Sequence, residues 1–303
     1  MKIDATKGLF VSDGCVVRKD SLLLALGFNS DPEQESSRVG FHLEGQWRHF
    51  DVPTDAVVSV TANSELGYAM GSAGSIFELP LAATMTRDAF NERVRSWVIE
   101  SAVEYGELTR IRLIGETPYC CGQSGQIYRL GDGGWTRADH GLRSDDDDAP
   151  DFEDLDGFGP AEIYAVGVAG ALYRFDGHRW HRIESPTNVN ISNIRCHSNG
   201  VCCACGDDGL IMWGRGDEWN LLGDPVPDKN YWGLEVFEEF VYVSHGKGIE
   251  KIVHGEVLPV ALAIEGRATF YRLHGRDGQL FSFGTDHLLK FSEGSWSRVE
   301  IPR

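Results

Sequence analysis

The stretch Pro118–Trp135, PYCCGQSGQIYRLGDGGW, decides the fold because the chain repeats it. Ile163–Trp180 reads IYAVGVAGALYRFDGHRW, Val201–Trp219 reads VCCACGDDGLIMWGRGDEW, and Gly67–Leu79 reads GYAMGSAGSIFEL. The shared grammar is a β-prone run, Gly, two residues, Gly, a second β-prone run, a polar Gly turn and Trp. Leu280–Trp296 is a fifth copy without the second Gly. Leu22–Phe28, rejoined at Val39–Trp47 after a longer turn, is a sixth. Phe240–Val257 is a weaker seventh, with Ser244 in place of the first Gly.

The spacing is regular. Gly122 to Trp135, Gly167 to Trp180 and Gly206 to Trp219 are each 13 positions, and Gly284 to Trp296 is 12. The first-Gly anchors at 27, 71, 122, 167, 206, 244 (Ser) and 284 lie 44, 51, 45, 39, 38 and 40 apart. A period near 40–45 with several short strands per unit marks propeller blades. Within one unit, Tyr164–Val166 reads as a buried strand. Gly167–Gly170 reads as a turn needing positive φ, and Ala171–Phe175 as the returning strand. Asp176–Gly177 signals a hairpin and Trp180 opens a third strand, His181–Ile183. A fourth strand follows a polar loop, as in Ile191–Cys196. Such a sheet cannot bury both faces alone, whereas seven packed radially bury each against the next and protect their edges. The repeat Trp is expected between neighbouring blades.

The expected fold is therefore all-β, one seven-bladed β-propeller of four-stranded antiparallel blades. The blades fall near 8–52, 53–100, 101–140, 150–186, 187–224, 231–260 and 266–301. The weakest stretch is 80–116. It reads as two strands with Trp97 standing for the repeat Trp; the alternative is a helical insertion over 86–105.

The phrase G-x-x-G-x-[ILY] followed by a Gly turn and Trp resembles the bacterial propellers related to photosystem-assembly factors, and the wider WD-repeat and kelch-like superfold. The resemblance spans about residues 8–301. There is no Gly-His…Trp-Asp signature, so the chain is not assigned to WD repeats proper. The resemblance implies a platform for proteins, peptides or a small ligand near the central axis. It is specific for fold and hardly for function, since propellers host many activities.

Composition narrows the partners. Among 303 residues, 46 are Asp or Glu and 28 Lys or Arg, a net charge of −18. That charge repels a phosphate backbone and a polybasic route to membranes, so neither nucleic acid nor membrane is an expected partner. The longest apolar stretch, Leu22–Leu26, suits a buried strand and is far short of a membrane span. No apolar run of signal-peptide length opens the sequence, so the expected location is cytoplasmic. The seven Cys are then expected as mostly reduced, buried thiols. Cys202 and Cys205 form a C-x-x-C, but strand positions three apart face opposite ways and cannot converge on a metal.

No nucleophile elbow, zincin helix, P-loop or kinase set occurs in the chain. Gly122–Gly125 superficially matches an elbow but is the repeat's own turn. The ten His are scattered. No catalytic residue, metal site or cofactor is expected. Binding residues are sought instead in polar loops, because the turn between middle strands and the crossover to the next blade share one rim. Four acidic insertions fall there. They are Asn29–Arg38 with Asp31, Glu33 and Glu35; Asp145, Asp146, Asp147 and Asp148, continuing through Asp151 to Glu153, Asp154 and Asp156; Asp207 with Asp208; and Gly223–Trp232 with Asp224 and Asp228. The Asp145 run lacks the spacing of a calcium loop. Tyr231, Trp232 and Phe28 are the aromatic anchor candidates.

The functional expectation is a non-enzymatic propeller, monomeric alone, that grips a basic protein with an acidic rim. The concrete version is a bacterial immunity protein or antitoxin blocking a toxic effector. An effector that attacks nucleic acid would be basic, and an inhibitor of charge −18 would mimic its substrate. The alternatives are a glycan or small-molecule binder, which needs aromatic and polar pockets between blades, and a hydrolase or lyase, which needs Asp, Glu, His or Arg converging on the axis.

Overall fold

The computed structural model describes residues 8–29, 36–142, 149–262, 268–285 and 287–301. Seven four-stranded antiparallel sheets succeed one another, each with its strands in sequence order. The innermost strands are Leu9–Arg18, Val57–Ala62, Leu108–Ile114, Phe152–Gly159, Ile191–Cys196, Tyr231–Phe237 and Arg272–Arg276. Each lies beside the innermost strands of both neighbours, and the last returns to the first. This is the expected seven-bladed propeller. Ile191–Cys196 is the inner strand of blade 5 rather than the fourth of blade 4, whose outer strand is Trp180–Arg182. The polar loop before it carries the chain from outer edge to axis.

Hydrophobic residues cluster once in each gap between blades. Leu155, Ala165 and Phe175 of blade 4 face Cys121 and Ile127 of blade 3. Tyr164, Val166 and Leu172 on the opposite side face Ile194, Ala204 and Met212 of blade 5. The period-2 alternation thus fills two different cores with one strand. Trp219 seals such a gap, edge-on to Tyr164 of the preceding blade at 5.7 Å. Trp180 likewise donates its indole N–H to the carbonyl of Ala138, 2.9 Å away at the end of blade 3.

The two repeat glycines serve different purposes. The second, as at Gly170 and Gly209, has φ of +72° and +75°, the left-handed region expected of the turn. The first, as at Gly167 and Gly206, is extended at φ −176° and −172°, which any residue adopts. What it supplies is room. A Cβ on Gly167 would lie 1.9 Å from the Asp151 carbonyl, and one on Gly206 would lie 2.0 Å from the Asn190 carbonyl. Blade 6 departs from this pattern. His245, opposite Tyr231 as Gly167 is opposite Phe152, holds the place of the first glycine, and Ser244 one position earlier faces Gly233, where a Cβ would meet Ser244 Oγ at 2.3 Å.

Blade 2 contains both readings of its weak stretch. Helix α1 (Arg87–Arg93) is capped by Thr86, whose Oγ1 accepts from the Ala89 N–H, and stacks Phe90 on Phe41 of blade 1. The outer strand Arg95–Val98 follows, with Trp97 opposite Ile76. A second short helix, α2 (Glu100–Tyr105), then lies in the crossover to blade 3.

The ring closes without exchanging a strand. Val11, Leu22 and Leu24 of blade 1 pack on Phe281, Phe283 and Leu288 of blade 7. Val11 N–H donates to the Thr285 carbonyl at 2.8 Å. Arg276 Nη1 donates to the carbonyls of Val17 and Ala62, each at 2.9 Å, tying blade 7 to blades 1 and 2. His274 Nδ1 accepts from Val16 N–H at 3.2 Å. Burial first, then the charges of Arg195, Arg276 and Arg112, hold this imidazole neutral well below the usual pKa of 6.5. The unfolded chain takes up that proton on acidification and the folded one does not. Stability linked to His274 therefore falls below pH 6.5, by about 1.4 kcal/mol per unit. Asp156 slopes oppositely: burial raises it to about 6, against Arg195, so its contribution is lost as pH rises through that value. We expect His274→Asn, which retains an acceptor, to lose about 2 kcal/mol less than wild type between pH 7 and pH 5, since the Asp156 contribution cancels. Urea titrations at the two pH values measure this, and parallel losses would refute it.

Candidate partner-binding rim

In each blade the turn between the second and third strands and the crossover to the next blade reach one rim, and the other turns reach the opposite rim. Near the first rim the inner strand slips register by one residue, at Ser12, Val58, Thr109, Glu153, Ser192 and Trp232 in the first six blades. Such a bulge re-aims a side chain. Ser12, Glu153, Ser192 and Trp232 line a cavity of about 380 Å³ at the axial mouth, with Tyr271, Arg272, Asn190 and Asp207. The Trp232 and Tyr271 rings lie 4.9 Å apart at 33° and wall one side.

Below the mouth the axis is closed by charge. Asp154, fully buried, accepts two hydrogen bonds from Arg112 at 3.0 and 2.8 Å. Arg110 and Arg195 approach it at 3.4 and 3.3 Å. Asp13 takes Ser59 Oγ at 2.9 Å, with Arg110 at 3.3 Å and Arg272 at 3.8 Å. Glu235 pairs with Arg195 at 3.5 Å. Burial alone would raise the Asp154 carboxyl, but Arg112, Arg110 and Arg195 hold it far below the carboxylate range. The convergence that a hydrolase or lyase would need is present, but the carboxylates of Asp13, Asp154, Asp156 and Glu235 are all bonded within the column. Asp154 and Asp156, read from sequence as the tail of an acidic insertion, are thus inner-strand residues supporting the axis, because the strand begins at Phe152.

Asp207 and Asp208 occupy the middle turn of blade 5. Asp207 accepts from Asn190 Nδ2 at 3.0 Å, and Asp208 has φ of +52°. The following crossover is strapped to this turn. Val226 N–H donates to the Asp208 carbonyl at 2.7 Å, and Asp228 N–H to Asp208 Oδ1 at 3.3 Å. Trp232 sits half-buried at the mouth, so Asp207, Asp208, Asp228 and Trp232 come together. Tyr231 does not face solvent. It is 2% exposed, packs between blades 5 and 6, and donates its hydroxyl to Glu250. Phe28 is likewise buried, under the Arg38 guanidinium. Asp31, Glu33, Glu35, Asp145, Asp146, Asp147 and Asp148 lie outside the described residues. The sequence candidates did not include Tyr271; Glu153, read as part of the second acidic insertion, reaches the mouth through a β-bulge, which has no residue signature.

All seven Cys are free thiols. Cys196 and Cys202 are cross-strand partners, but burial raises the Cys196 thiol far above its usual pKa, which disfavours the reactive thiolate. Among the described residues no three His, Cys, Asp or Glu converge as a metal site, and no helix is long and apolar enough to cross a membrane.

No family model matches the sequence. An immune protein of Pseudomonas aeruginosa, Tsi7, is 32% identical over 198 residues, which cover 64% of this chain and 65% of that protein. The matched stretch thus spans less than two thirds of the relative. Among solved structures, the WD40 propeller domain of Doa1 superposes with a TM-score of 0.70 at 12% identity, covering 97% of this chain and 94% of that one. YCF48 bound to a D1 peptide gives 0.69 at 15% identity, covering 96% and 95%. A catalytically inactive virginiamycin B lyase from Staphylococcus aureus with quinupristin gives 0.65 at 12% identity, covering 92% and 88%. Identities this low establish the shared propeller and nothing of activity, in keeping with the resemblance noted from the blade phrases.

Proposed function

We propose that this chain is a non-enzymatic, cytoplasmic immunity protein, monomeric alone, that neutralises a toxic effector by covering a basic surface of it with the mouth rim. The similarity to an immune protein over 198 residues is the observation that supports this best. The rim supplies chemistry suited to it. Asp207, Asp208, Asp224 and Asp228 surround the blade 5 turn, Glu100, Glu104 and Glu184 lie farther round, and Val103, Val168 and Val226 are exposed among them. Carboxylates steer a cationic partner, while aromatic and apolar contacts supply most of the retained affinity. The opposite rim is acidic too, but Lys19, Arg87, Arg93 and Arg179 are interspersed there.

The tagged chain, used as bait in its native cells, is expected to retain one basic protein at low salt and release it as salt rises. That protein, expressed alone, should arrest growth, and co-expression of this chain should restore it. Trp232→Ala should weaken the complex at least about tenfold. Recovery of no partner at low salt, or of one harmless when expressed, overturns the proposal. The 380 Å³ mouth with its Trp232–Tyr271 wall favours one second reading, a small-molecule binder. A compound that raises the melting temperature without any protein partner would support it.

A further inference from the structure

We infer that the notch beside the Asp207–Asp208 turn is a socket for one lysine or arginine side chain of a protein partner. The inference rests on the reading above that this rim meets a basic protein, and assigns the contact that anchors it. The notch holds about 230 Å³. Its walls are apolar: Val189, Leu210, Ile211 and Leu222. Asp207, Asp208 and Asp224 also line it, Asp207 being shared with the axial mouth. An apolar wall joined by carboxylates matches a long aliphatic stem with a cationic head, the form shared by lysine and arginine.

The described residues lining the notch do not neutralise those charges. No Lys, Arg or His is among the described residues lining the notch. The nearby cation of the crossover, Lys229, is tied off. Its Nζ lies 2.8 Å from Glu250 and 5.2 Å from the centre of the Tyr231 ring. Among the described residues, Asp207 receives only the neutral amide of Asn190, and Asp208 only the backbone N–H of Asp228. Asp224 is exposed and has no hydrogen bond or ion pair with the described residues. The socket is also held in shape before anything enters it. Gly209 N–H donates to the Lys229 carbonyl at 2.5 Å, alongside the Val226–Asp208 bond at 2.7 Å, so the crossover and the turn are one unit. A preformed site costs less ordering when it is filled.

The test is a methyl-NMR titration of the full chain with Nα-acetyl-lysine N-methylamide, its arginine counterpart and its norleucine counterpart, which has the stem without the charge. Both cationic amides should shift the methyls of Val189, Leu210, Ile211 and Leu222. The norleucine amide should bind at least about threefold more weakly, and Asp224→Asn should erase much of that difference. Equal binding of the norleucine amide, shifts confined to other methyls, or no shifts at all would overturn the socket. If the socket fails while the native partner is still captured, only this inference falls. If the amides bind as expected but no toxic partner exists, only the immunity reading falls.

Discussion

Asp154→Ala is expected to lower the stability of the propeller by about 3–5 kcal/mol, the cost of removing one partner from a buried ion pair. Asp154 has no exposed surface and is the common acceptor for Arg110, Arg112 and Arg195. It also accepts the N–H groups of Leu155 and Ile194, at 3.0 and 3.2 Å, so one carboxylate stitches blades 3, 4 and 5 together. Without it, three guanidinium groups face one another at the axis. Arg110 keeps Asp13 and Arg195 keeps Glu235, but Arg112 loses the one carboxylate among the described residues to which it is hydrogen-bonded. The folded-state pKa of Asp154 is depressed, so its contribution is present above the ordinary carboxylate value of 3.8 and is lost as pH falls below it. The wild type and the variant should therefore differ strongly at pH 7 and converge in strong acid. Denaturant unfolding followed by tryptophan fluorescence reads the difference, together with a fall in melting temperature of roughly 10 °C. A loss under 1 kcal/mol at pH 7 would show, by the usual scale of surface pairs, that the axis does not depend on this hub.

Gly167→Ala is expected to cost about 3 kcal/mol or more, or to leave the chain insoluble, for a reason unrelated to backbone freedom. The added methyl would sit 1.9 Å from the Asp151 carbonyl and 2.9 Å from Phe152 Cα, both of them backbone atoms. Neither can rotate away as a side chain would, so the crossover must shift bodily or the blade must open. Gly133→Ala is the control, because nothing lies within 4 Å of its position; it should stay within about 0.5 kcal/mol of wild type. Blade 6 supplies an independent check. Gly233→Ala should be damaging alone and less so combined with Ser244→Gly, which removes the hydroxyl that a Cβ at position 233 would meet at 2.3 Å. Equal stabilities for Gly167→Ala and Gly133→Ala would refute the close-approach account.

The repeat glycines show how far sequence reading reached. Their position was plain, and so was the positive φ of Gly170 and Gly209. The purpose of the first glycine was not, because the carbonyl it accommodates arrives from the crossover, 16 residues earlier in the chain for Gly167. Blade 2 is similar. Thr86 is a legible helix cap and Trp97 a legible repeat tryptophan, but only the stacking of Phe90 on Phe41 of blade 1 lets helix and strand coexist.

The candidate rim divides the same way. Asp207, Asp208, Asp228 and Trp232 could be placed on one rim by counting strands, and the described rim carries them. Asp154 and Asp156 sit in an equally acidic stretch yet lie on an inner strand and bond the neighbouring blades, and Tyr231 is turned into the core beside Trp232 at the mouth. By itself the sequence determined the number of blades, their order and their turns, because strand alternation, glycine turns and the closing tryptophan act within about 20 neighbouring residues. Tertiary structure alone decided which charges oppose one another across the axis and which remain unmatched at the mouth. Those groups come from blades about 40 residues apart, and only closure of the ring brings them within a few ångströms.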